Sequence, residues 1–205
     1  HNQYQHAKHT LYLCDVLQKD ERGEIKRLIV SMPPRHSKSE TITKFFPVWY
    51  LGRNPDKEVM IASYSAELAS EFSRLSRNVI EESGQDLFGV NVSRDSRAAN
   101  RWGIQGTRGG LFSCGVGGSA TGRGYSLGII DDPVKNFEEA NSPIYQQKII
   151  DWYKSVFRTR TAPNAAIILV MTRWSQNDLA GYLINEMKNG GEEWVVVNLP
   201  AQAGE

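Results

Sequence analysis

This sequence contains little cysteine, and the chain carries almost no net charge. Its two cysteines, Cys14 and Cys114, lie outside any CxxC or His/Cys spacing of the kind that binds zinc. Reduced thiols in a cytoplasmic protein are favoured, although a single disulfide between the two stays open. The formal net charge of +1 means that the total charge demands neither a nucleic acid nor a membrane as partner.

Long apolar runs are also absent, which argues against a membrane protein. No stretch approaches the ~20 apolar residues that cross a bilayer, and the chain does not open with a signal-peptide pattern. Apolar residues make up 40% and charged residues 23% of the chain, close to the globular averages of ~45–50% and ~25%. We therefore expect one domain over residues 1–200 and interpret residues 201–205 as the start of a linker.

What the sequence does contain is a series of short apolar runs with strand character. Most of these runs are continuous rather than alternating, which is typical of strands covered on both faces. They alternate with helical periodicities, so the sequence predicts an α/β fold with a mostly parallel central sheet flanked by helices. The five runs are residues 27–32, 58–64, 127–132, 165–172 and 193–199.

Helix starts and turns are marked by capping and turn residues. Ser65 is a predicted N-cap, and Ser142-Pro143 opens another helix with proline in its favoured first position. Ser175 and Asp178 suggest a capping box before a third helix. Residues 97–124 break the alternating pattern and predict a small β-hairpin insertion, with its turn supplied by the glycine-rich segment at 108–110.

The segment "PPRHSKSE", residues 33–40, ends as a phosphate-binding loop does but lacks its glycines. It lies between a predicted strand and a helix expected over residues 38–50, whose N-terminal N–H groups attract phosphate. In such a loop Lys38 reaches the β- and γ-phosphates and the Ser39 hydroxyl ligates Mg²⁺. Ser37 stands at a usual glycine position and is costly there if its φ angle is positive. A basic helix start without a nucleotide is the alternative.

Two other strand ends carry polar residues that should meet this loop, since ligands of open parallel sheets bind beyond the carboxyl ends of the strands. In "LGIIDDP", Asp131 suits a magnesium ligand and Asp132 suits the residue that orients the attacking water, where glutamate is more usual. The alternative is a pair of acidic turn residues. Thr172, at the end of another strand, either hydrogen-bonds a phosphate or the water, or only caps its strand.

Taken together, four segments resemble the large terminase subunit of tailed bacteriophages, the motor that drives DNA into procapsids. The similarity runs from about His9 to Pro200. The resemblance implies a P-loop NTPase domain of the additional-strand type that binds ATP and Mg²⁺ and hydrolyses ATP to move double-stranded DNA. The segments are "RLIVSMPPRHSKSE", "SYSAELASEFSR", "GGSATGRGYSLGIIDDPVKN" and "MTRWSQNDLAG".

The resemblance also implies roles for particular residues. The family's loop often reads PPR-x-GKS, so this loop is expected to work, with Ser37 leaving its turnover rate open. By position before the acidic strand, Arg123 matches the arginine finger given to a neighbouring subunit, with Arg101 and Arg108 as weaker candidates and a solvated loop arginine as the alternative. Adenine is expected near Gln5 or Tyr4. The ATP-binding residues carried over are Pro34, Arg35, His36, Ser37, Lys38, Ser39, Glu40 and Gln5.

The partners implied by the resemblance are double-stranded DNA, a portal protein and a small terminase subunit. We expect a homo-oligomeric ring, a pentamer, in the host cytoplasm, with the isolated domain able to stay monomeric. Family members also carry an RNase H-like nuclease domain that this chain has no room for, so no nuclease activity is expected from it. The arginines at 94–108 and those at 158–160 are two candidate groups for contact with DNA phosphates. The alternative is that both groups are ordinary solvated surface.

Three other functions remain as alternatives. A helicase would share the nucleotide core but needs a second motor domain. A small-molecule phosphotransferase would need an acceptor pocket and a lid, for which the glycine-rich loop at 115–124 is the only support. A nucleotide-binding scaffold without catalysis is the third, because Ser37 and Asp132 both depart from the usual pattern.

Overall fold

In the computed structural model, residues 7–119 and 122–199 are described. The predicted linker at 201–205 lies outside them. The strands of the described part are β1 Arg27–Ser31, β2 Glu58–Ser63, β3 Val92–Ala98, β4 Arg101–Ile104, β5 Gly110–Gly115, β6 Tyr125–Asp131, β7 Thr161–Met171 and β8 Val195–Asn198. They form one sheet of eight strands in the order β3-β4-β5-β2-β6-β7-β1-β8.

The five strands predicted from apolar runs form the parallel part of this sheet. β1 pairs in parallel with β7 and β8, and β6 pairs in parallel with β2 and β7. β7 is thus inserted between β1 and β6, which is the additional-strand arrangement. The register aligns Ser31 with Met171, Ser63 with Asp131, and Asp131 with Val170. The carboxyl ends of these strands therefore meet at one edge of the sheet.

The antiparallel part extends the sheet beyond β2. β5 pairs in parallel with β2 and antiparallel with β4, so β4 and β5 form the expected hairpin. β3, which pairs antiparallel with β4, was not predicted. Its sequence, Val92-Ser-Arg-Asp-Ser-Arg-Ala98, contains no apolar run, and its residues are half-buried or exposed, so it lacks the signal of a buried strand.

Helices cover both faces of the sheet. They are α1 Lys8–Glu21, α2 Phe46–Arg53, α3 Ala66–Phe88, α4 Phe137–Ala140, α5 Pro143–Trp152 and α6 Leu179–Lys188, with π-helical segments at Glu40–Phe45 and Tyr153–Phe157 and a 3₁₀ turn at Arg158–Arg160. None of the described helices is long and apolar enough to span a bilayer.

Two of the predicted helix starts are confirmed and one is wrong in detail. The hydroxyl of Ser65 accepts a hydrogen bond from the N–H of Leu68 at the start of α3, and Ser142 caps α5 in the same way. The predicted capping box at Ser175 and Asp178 does not form. Instead Asp178 is itself the N-cap of α6, because its carboxylate accepts from the N–H of Gly181. Aspartate is as good a cap as serine, so both residues carried the same sequence signal.

Two apolar layers hold the helices to the sheet. Leu28 and Val30 of β1 face the layer that packs against α1, α2 and α3, and Ile29 faces the layer under α5 and α6. Each such buried side chain contributes ~1.5–3 kcal/mol through removal of apolar surface from water. Cys14 and Cys114 are free thiols, so the single disulfide left open above does not form.

Candidate functional site

Lys38 lies at the centre of a polar cluster at the carboxyl edge of the sheet. Its Nζ is 2.7 Å and 2.9 Å from the two carboxylate oxygens of Asp132. It also donates to Oγ1 of Thr172 at 2.6 Å. The lysine side chain is 7% exposed and that of Asp132 is 32% exposed. The structure therefore brings together three residues that come from three different strand ends and that the sequence placed in one site.

Asp131, next to Asp132, occupies a second and more deeply buried position. Its side chain is 1% exposed. Ser39 donates to Oδ1 at 3.1 Å and Thr43 donates to Oδ2 at 2.5 Å. The backbone carbonyl of Asp131 accepts from the hydroxyl of Ser63 at 2.8 Å. Both the main chain and the carboxylate of Asp131 are thus fixed by hydroxyl groups.

Burial determines the acidity of Asp131. Loss of hydration raises the pKa of its carboxyl to about 7, and the neighbouring negative charge of Asp132 acts in the same direction. Hydrogen bonds from Thr43 and Ser39 oppose the shift, and so does the positive charge of Lys38. A second positive charge close to Asp131 would favour its ionised form, as a bound cation provides.

Asp132 is held by its backbone as well as by Lys38. Its φ angle is +42°, in the left-handed region that a non-glycine residue seldom adopts. Its Oδ1 accepts a hydrogen bond from the backbone N–H of Thr172 at 2.8 Å. Both carboxylate oxygens contact Lys38, so the negative charge of Asp132 is neutralised by an ion pair in the conformation seen.

The loop at residues 33–40 adopts a left-handed backbone conformation of the kind that glycine adopts easily, although the loop contains no glycine. Ser37 has a φ of +58° and Arg35 a φ of +62°, so the conditional cost stated for Ser37 applies. Left-handed backbone costs a side-chain-bearing residue ~1–2 kcal/mol. A ring nitrogen of His36 lies 2.8 Å from the carbonyl oxygen of Pro34, which helps to hold the turn. Strain of this kind is common where a loop is shaped for a ligand.

Helical structure begins at residue 38 and continues to Arg53, with a π-helical segment at Glu40–Phe45 before α2. The helix expected over residues 38–50 is therefore present, but its first part is wider than an α-helix. Such π segments are rare and often occur at functional sites. The first N–H groups of a helix have no acceptor within the helix, which makes a helix start such as this one suited to bind an anion.

A cleft of about 550 Å³ opens over this cluster. Its lining includes most of the loop and the residues that converge on Lys38, but not the more deeply buried Asp131, together with residues that the sequence analysis did not single out. Those additional residues are Tyr64, Val134, Lys135 and Trp174. Trp174, 41% exposed, packs edge-on against Phe137 with ring centroids 6.4 Å apart. The signal that could have found Trp174 is its position two residues after Thr172.

The pair of Ser39 and Asp131 fits a magnesium ion by its chemistry. A hydroxyl and a carboxylate are oxygen donors of the kind that Mg²⁺ prefers, and Mg²⁺ usually takes only one or two carboxylates and keeps several waters and phosphate oxygens. Among the described residues there is no group of three or more His, Cys, Asp or Glu side chains placed to hold a metal. The protein donors here therefore suit a cation that arrives with a phosphate.

Arg123 does not join this cluster. It precedes β6 at the opposite edge of the sheet, and seven strand residues at ~3.3 Å each separate that edge from the cleft by roughly 20 Å. There its Nη1 pairs with Glu58 at 2.6 Å, with the arginine side chain 52% exposed. The same edge holds a second cavity of about 530 Å³, lined in part by Arg101 and Arg108. Gln5 and Tyr4 lie outside the described residues.

Thr43 is the residue of the cluster that sequence reasoning missed most clearly. It is four residues after Ser39, a spacing that places two side chains on one helix face. The spacing of Ser39 and Thr43 is the signal that the sequence contains. It indicates a shared partner only once Asp131 is known to lie beside this helix face.

Comparison with known proteins identifies the relatives of this chain. A family model described as "Terminase large subunit, T4likevirus-type, N-terminal" matches residues 29–203. No curated protein matched the sequence.

Three solved structures share the fold at low sequence identity. The large terminase of bacteriophage HK97 aligns with a TM-score of 0.63 and 14% identity, over 98% of this chain and 41% of that one. The large terminase of a thermophilic bacteriophage, in complex with ADP, gives 0.58 and 14%, over 95% and 45%. The N-terminal domain of the DNA packaging ATPase of bacteriophage phi29 gives 0.51 and 14%, over 88% and 94%.

These similarities confirm the P-loop NTPase fold expected from the sequence. The chain spans less than half the length of the HK97 terminase and of the terminase from the thermophilic bacteriophage.

Proposed function

This chain belongs to the family of terminase large subunits, as the match over residues 29–203 shows, and from that premise we propose that it hydrolyses ATP to move double-stranded DNA into a procapsid. The observation that carries the proposal is the convergence of Lys38, Asp132 and Thr172 within hydrogen-bond distance at one edge of the sheet. Convergence of a lysine with polar residues from separate strand ends, one of them an acid, is what a nucleotide-phosphate site requires.

Binding of ATP uses the loop and the helix start. Lys38 and Arg35 neutralise phosphate charge, while the backbone of residues 34–40 wraps the phosphates as the family's loop does. Ser39 and Asp131 would hold Mg²⁺, which neutralises charge on the β- and γ-phosphates when it is bound. Both ligands are already 3.1 Å apart, so little rearrangement of the protein is needed.

Hydrolysis requires Asp132 to change partners. In the structure its carboxylate is neutralised by Lys38. When γ-phosphate oxygens take that place beside Lys38 Nζ, Asp132 loses its cation and becomes free to orient water and to accept its proton. Thr172, which bonds both Lys38 and Asp132, reports the exchange to the segment that leads into α6. The same contacts would return when phosphate leaves.

Assembly completes the proposed site. Arg123, at the far edge of its own sheet, is suited to act on the nucleotide of a neighbouring subunit rather than on its own. We propose that five copies of the protein form a homo-oligomeric ring in the host cytoplasm. The proposed partners of this ring are a portal protein and a small terminase subunit. An arginine supplied in this way stabilises charge on the transferring phosphoryl group.

Phosphate release by the 205-residue chain tests the proposal. We expect release from ATP in Mg²⁺, stimulation by double-stranded DNA that weakens with salt because phosphates carry the contact, and loss of release in Lys38→Ala. A control, Lys26→Ala, changes a lysine remote from the cleft and should leave release intact. Stimulation by a small metabolite instead of DNA would favour the phosphotransferase, and strand separation would favour the helicase. Nucleotide binding without release under any condition would contradict an ATPase.

A further inference from the structure

Thr43 is a buried polar residue for which the proposed mechanism has no role so far. Its side chain is fully buried. It lies in the π-helical segment Glu40–Phe45, which follows the phosphate loop directly. Its Oγ1 donates a hydrogen bond to Oδ2 of Asp131 at 2.5 Å. This buried threonine hydroxyl thus donates its hydrogen bond to the carboxylate that suits a metal.

The two oxygens of Asp131 are held from the same helical segment but on different sides. Ser39 donates to Oδ1 and lines the cleft. Thr43 donates to Oδ2 and does not line the cleft. Oδ1 is therefore the oxygen on the cleft side, within reach of a cation bound by the Ser39 hydroxyl, and Oδ2 is anchored behind it.

Thr43 acts on the orientation of the Asp131 carboxylate, because the backbone on both sides of this contact is held by other interactions. The main chain at Asp131 is fixed by strand pairing and by the bond from Ser63 to its carbonyl. The π-helical segment is in turn braced by α3, since the hydroxyl of Ser76 donates to the carbonyl of Lys44 at 3.0 Å. Among the described residues, the hydroxyls of Ser39 and Thr43 are the groups that donate hydrogen bonds to the carboxylate oxygens, and they therefore favour one rotation of the carboxylate about its last bond.

We propose that Thr43 is a positioning residue, which turns the Asp131 carboxylate so that Oδ1 can ligate a divalent cation together with Ser39. This inference rests on the proposed function, because it assigns a second hydrogen-bonding layer to that same nucleotide site. Groups that orient a metal ligand in this way typically account for about 10–100-fold in metal affinity.

The experiment measures binding of Mn²⁺ by electron paramagnetic resonance, in the presence of a non-hydrolysable ATP analogue. Thr43→Val keeps the shape and removes the donor, and we expect Mn²⁺ affinity to fall by about 10–100-fold. Thr43→Ser keeps the donor and should bind Mn²⁺ nearly as the unchanged chain does. Thr41→Val is the matched control, since Thr41 lies on the same segment and lines an apolar groove instead; it should have no effect.

Further readouts separate positioning from simple loss of structure. Affinity for the analogue in EDTA should be the same in Thr43→Val as in the unchanged chain, and saturating Mg²⁺ should restore the rate of phosphate release. Should Thr43→Val fail to fold, Thr43→Cys replaces it. A thiol is a weaker donor than a hydroxyl, so Thr43→Cys should bind Mn²⁺ less tightly than Thr43→Ser.

Contradicting outcomes are distinct for the two proposals. If the unchanged chain binds Mn²⁺ with the analogue and Thr43→Val binds it equally well, Thr43 has no positioning role while the proposed function stands. Equal weakening by Thr43→Ser and Thr43→Val would also overturn the role, because the donor would then not matter. If the unchanged chain binds neither metal nor analogue, the proposed function fails and this inference fails with it.

Discussion

The two edges of the parallel sheet carry charge in different ways. At the carboxyl edge, Lys38 and Asp131 are almost fully buried, and their polar atoms are bonded to partners from other elements of the same chain. At the amino edge, Arg123 is half exposed and is joined by a single ion pair to Glu58. The polar groups of the first edge are paired within one chain, whereas the second edge presents charge outward.

The energies of the two arrangements differ as their exposure does. Exposed ion pairs contribute only ~0–1 kcal/mol, so Arg123 can leave Glu58 at little cost when a partner offers a phosphate. Removing one member of a buried pair is far more damaging, at ~3–5 kcal/mol, because it leaves an unpaired charge. In the proposed mechanism the pair of Lys38 and Asp132 therefore opens only when a phosphate takes the place of the carboxylate, whereas the pair of Arg123 and Glu58 opens at little cost.

Removal of Arg123 should have the largest effect on activity, and only in the assembled ring. Loss of an arginine finger lowers the hydrolysis rate by ~10³–10⁵-fold, whereas the dilute isolated chain should hydrolyse ATP equally slowly with or without Arg123. Mixing Arg123→Ala with Lys38→Ala subunits should restore phosphate release, because one supplies the intact loop and the other the arginine. Arg22→Ala is the control, because Arg22 is about as exposed as Arg123 and also makes an ion pair, to Glu24. If phosphate release is not restored at any mixing ratio, Arg123 does not act on a neighbouring subunit and the contrast between the two edges fails.

Asp132→Asn should have the next largest effect and should appear in the isolated chain as well. The amide keeps the size of the side chain but cannot accept a proton, so we expect hydrolysis to fall by ~10²–10⁴-fold. Binding of the ATP analogue, measured by calorimetry, should be retained or tightened, since Lys38 loses a competing carboxylate. Asp56→Asn, a change at an exposed turn residue, is the control. Hydrolysis at the unchanged rate would leave no role for Asp132.

Asp20 breaks the contrast, because it is a buried carboxyl that lies near Arg27 at the amino edge. It is 3% exposed, and both of its oxygens lack a hydrogen-bond partner among the described residues. Burial raises the pKa of Asp20 to about 8, and the positive charge of Arg27 opposes the shift only in part. The folded chain thus holds a proton that the unfolded chain releases near pH ~4.

The sign of the resulting pH dependence follows from that difference. Between about pH 4 and 8 the folded state binds one more proton than the unfolded state, so Asp20 makes stability fall as pH rises, by at most about 1.4 kcal/mol per pH unit. Asp20→Asn should remove this part of the fall and raise the melting temperature at about pH 8 more than at about pH 5. Asp15→Asn, at an exposed position of the same helix, is the control. A melting temperature lowered equally at both pH values would contradict the assignment.

Ser37→Gly should give the smallest effect. Glycine relieves left-handed backbone strain of ~1–2 kcal/mol but loses ~0.5–1 kcal/mol of conformational entropy on folding. We expect a net gain of about 0 to 1.5 kcal/mol in unfolding free energy, measured by denaturant titration. Ser37→Ala keeps a Cβ atom and should gain nothing. A loss of stability in Ser37→Gly would mean that the serine side chain itself supports the loop.

Sequence reasoning reached further at the carboxyl edge than elsewhere. Buried parallel strands carry continuous apolar runs, and the polar residues that end those runs must meet at one edge. For that reason the sequence alone places Lys38, Asp132 and Thr172 together. Ser37 could be given a conditional cost because its φ angle follows from the turn that the loop must make.

Other features depend on contacts that no local pattern encodes. β3 is a polar edge strand, so it has no apolar run to mark it. The cap of α6 falls on Asp178 rather than on Ser175, and only the surrounding chain decides between two equally good caps. Thr43 acquires its partner through a π-helical turn braced by α3, which brings together residues far apart in sequence.

The most direct test of the account is a crystal structure of the chain with a non-hydrolysable ATP analogue and Mg²⁺. We predict that Lys38 Nζ leaves Asp132 and lies ~3 Å from phosphate oxygens, and that Ser39 and an Asp131 oxygen meet Mg²⁺ at ~2.0–2.1 Å. An analogue bound elsewhere, with Lys38 still paired to Asp132, would contradict the exchange of partners on which the proposed mechanism depends.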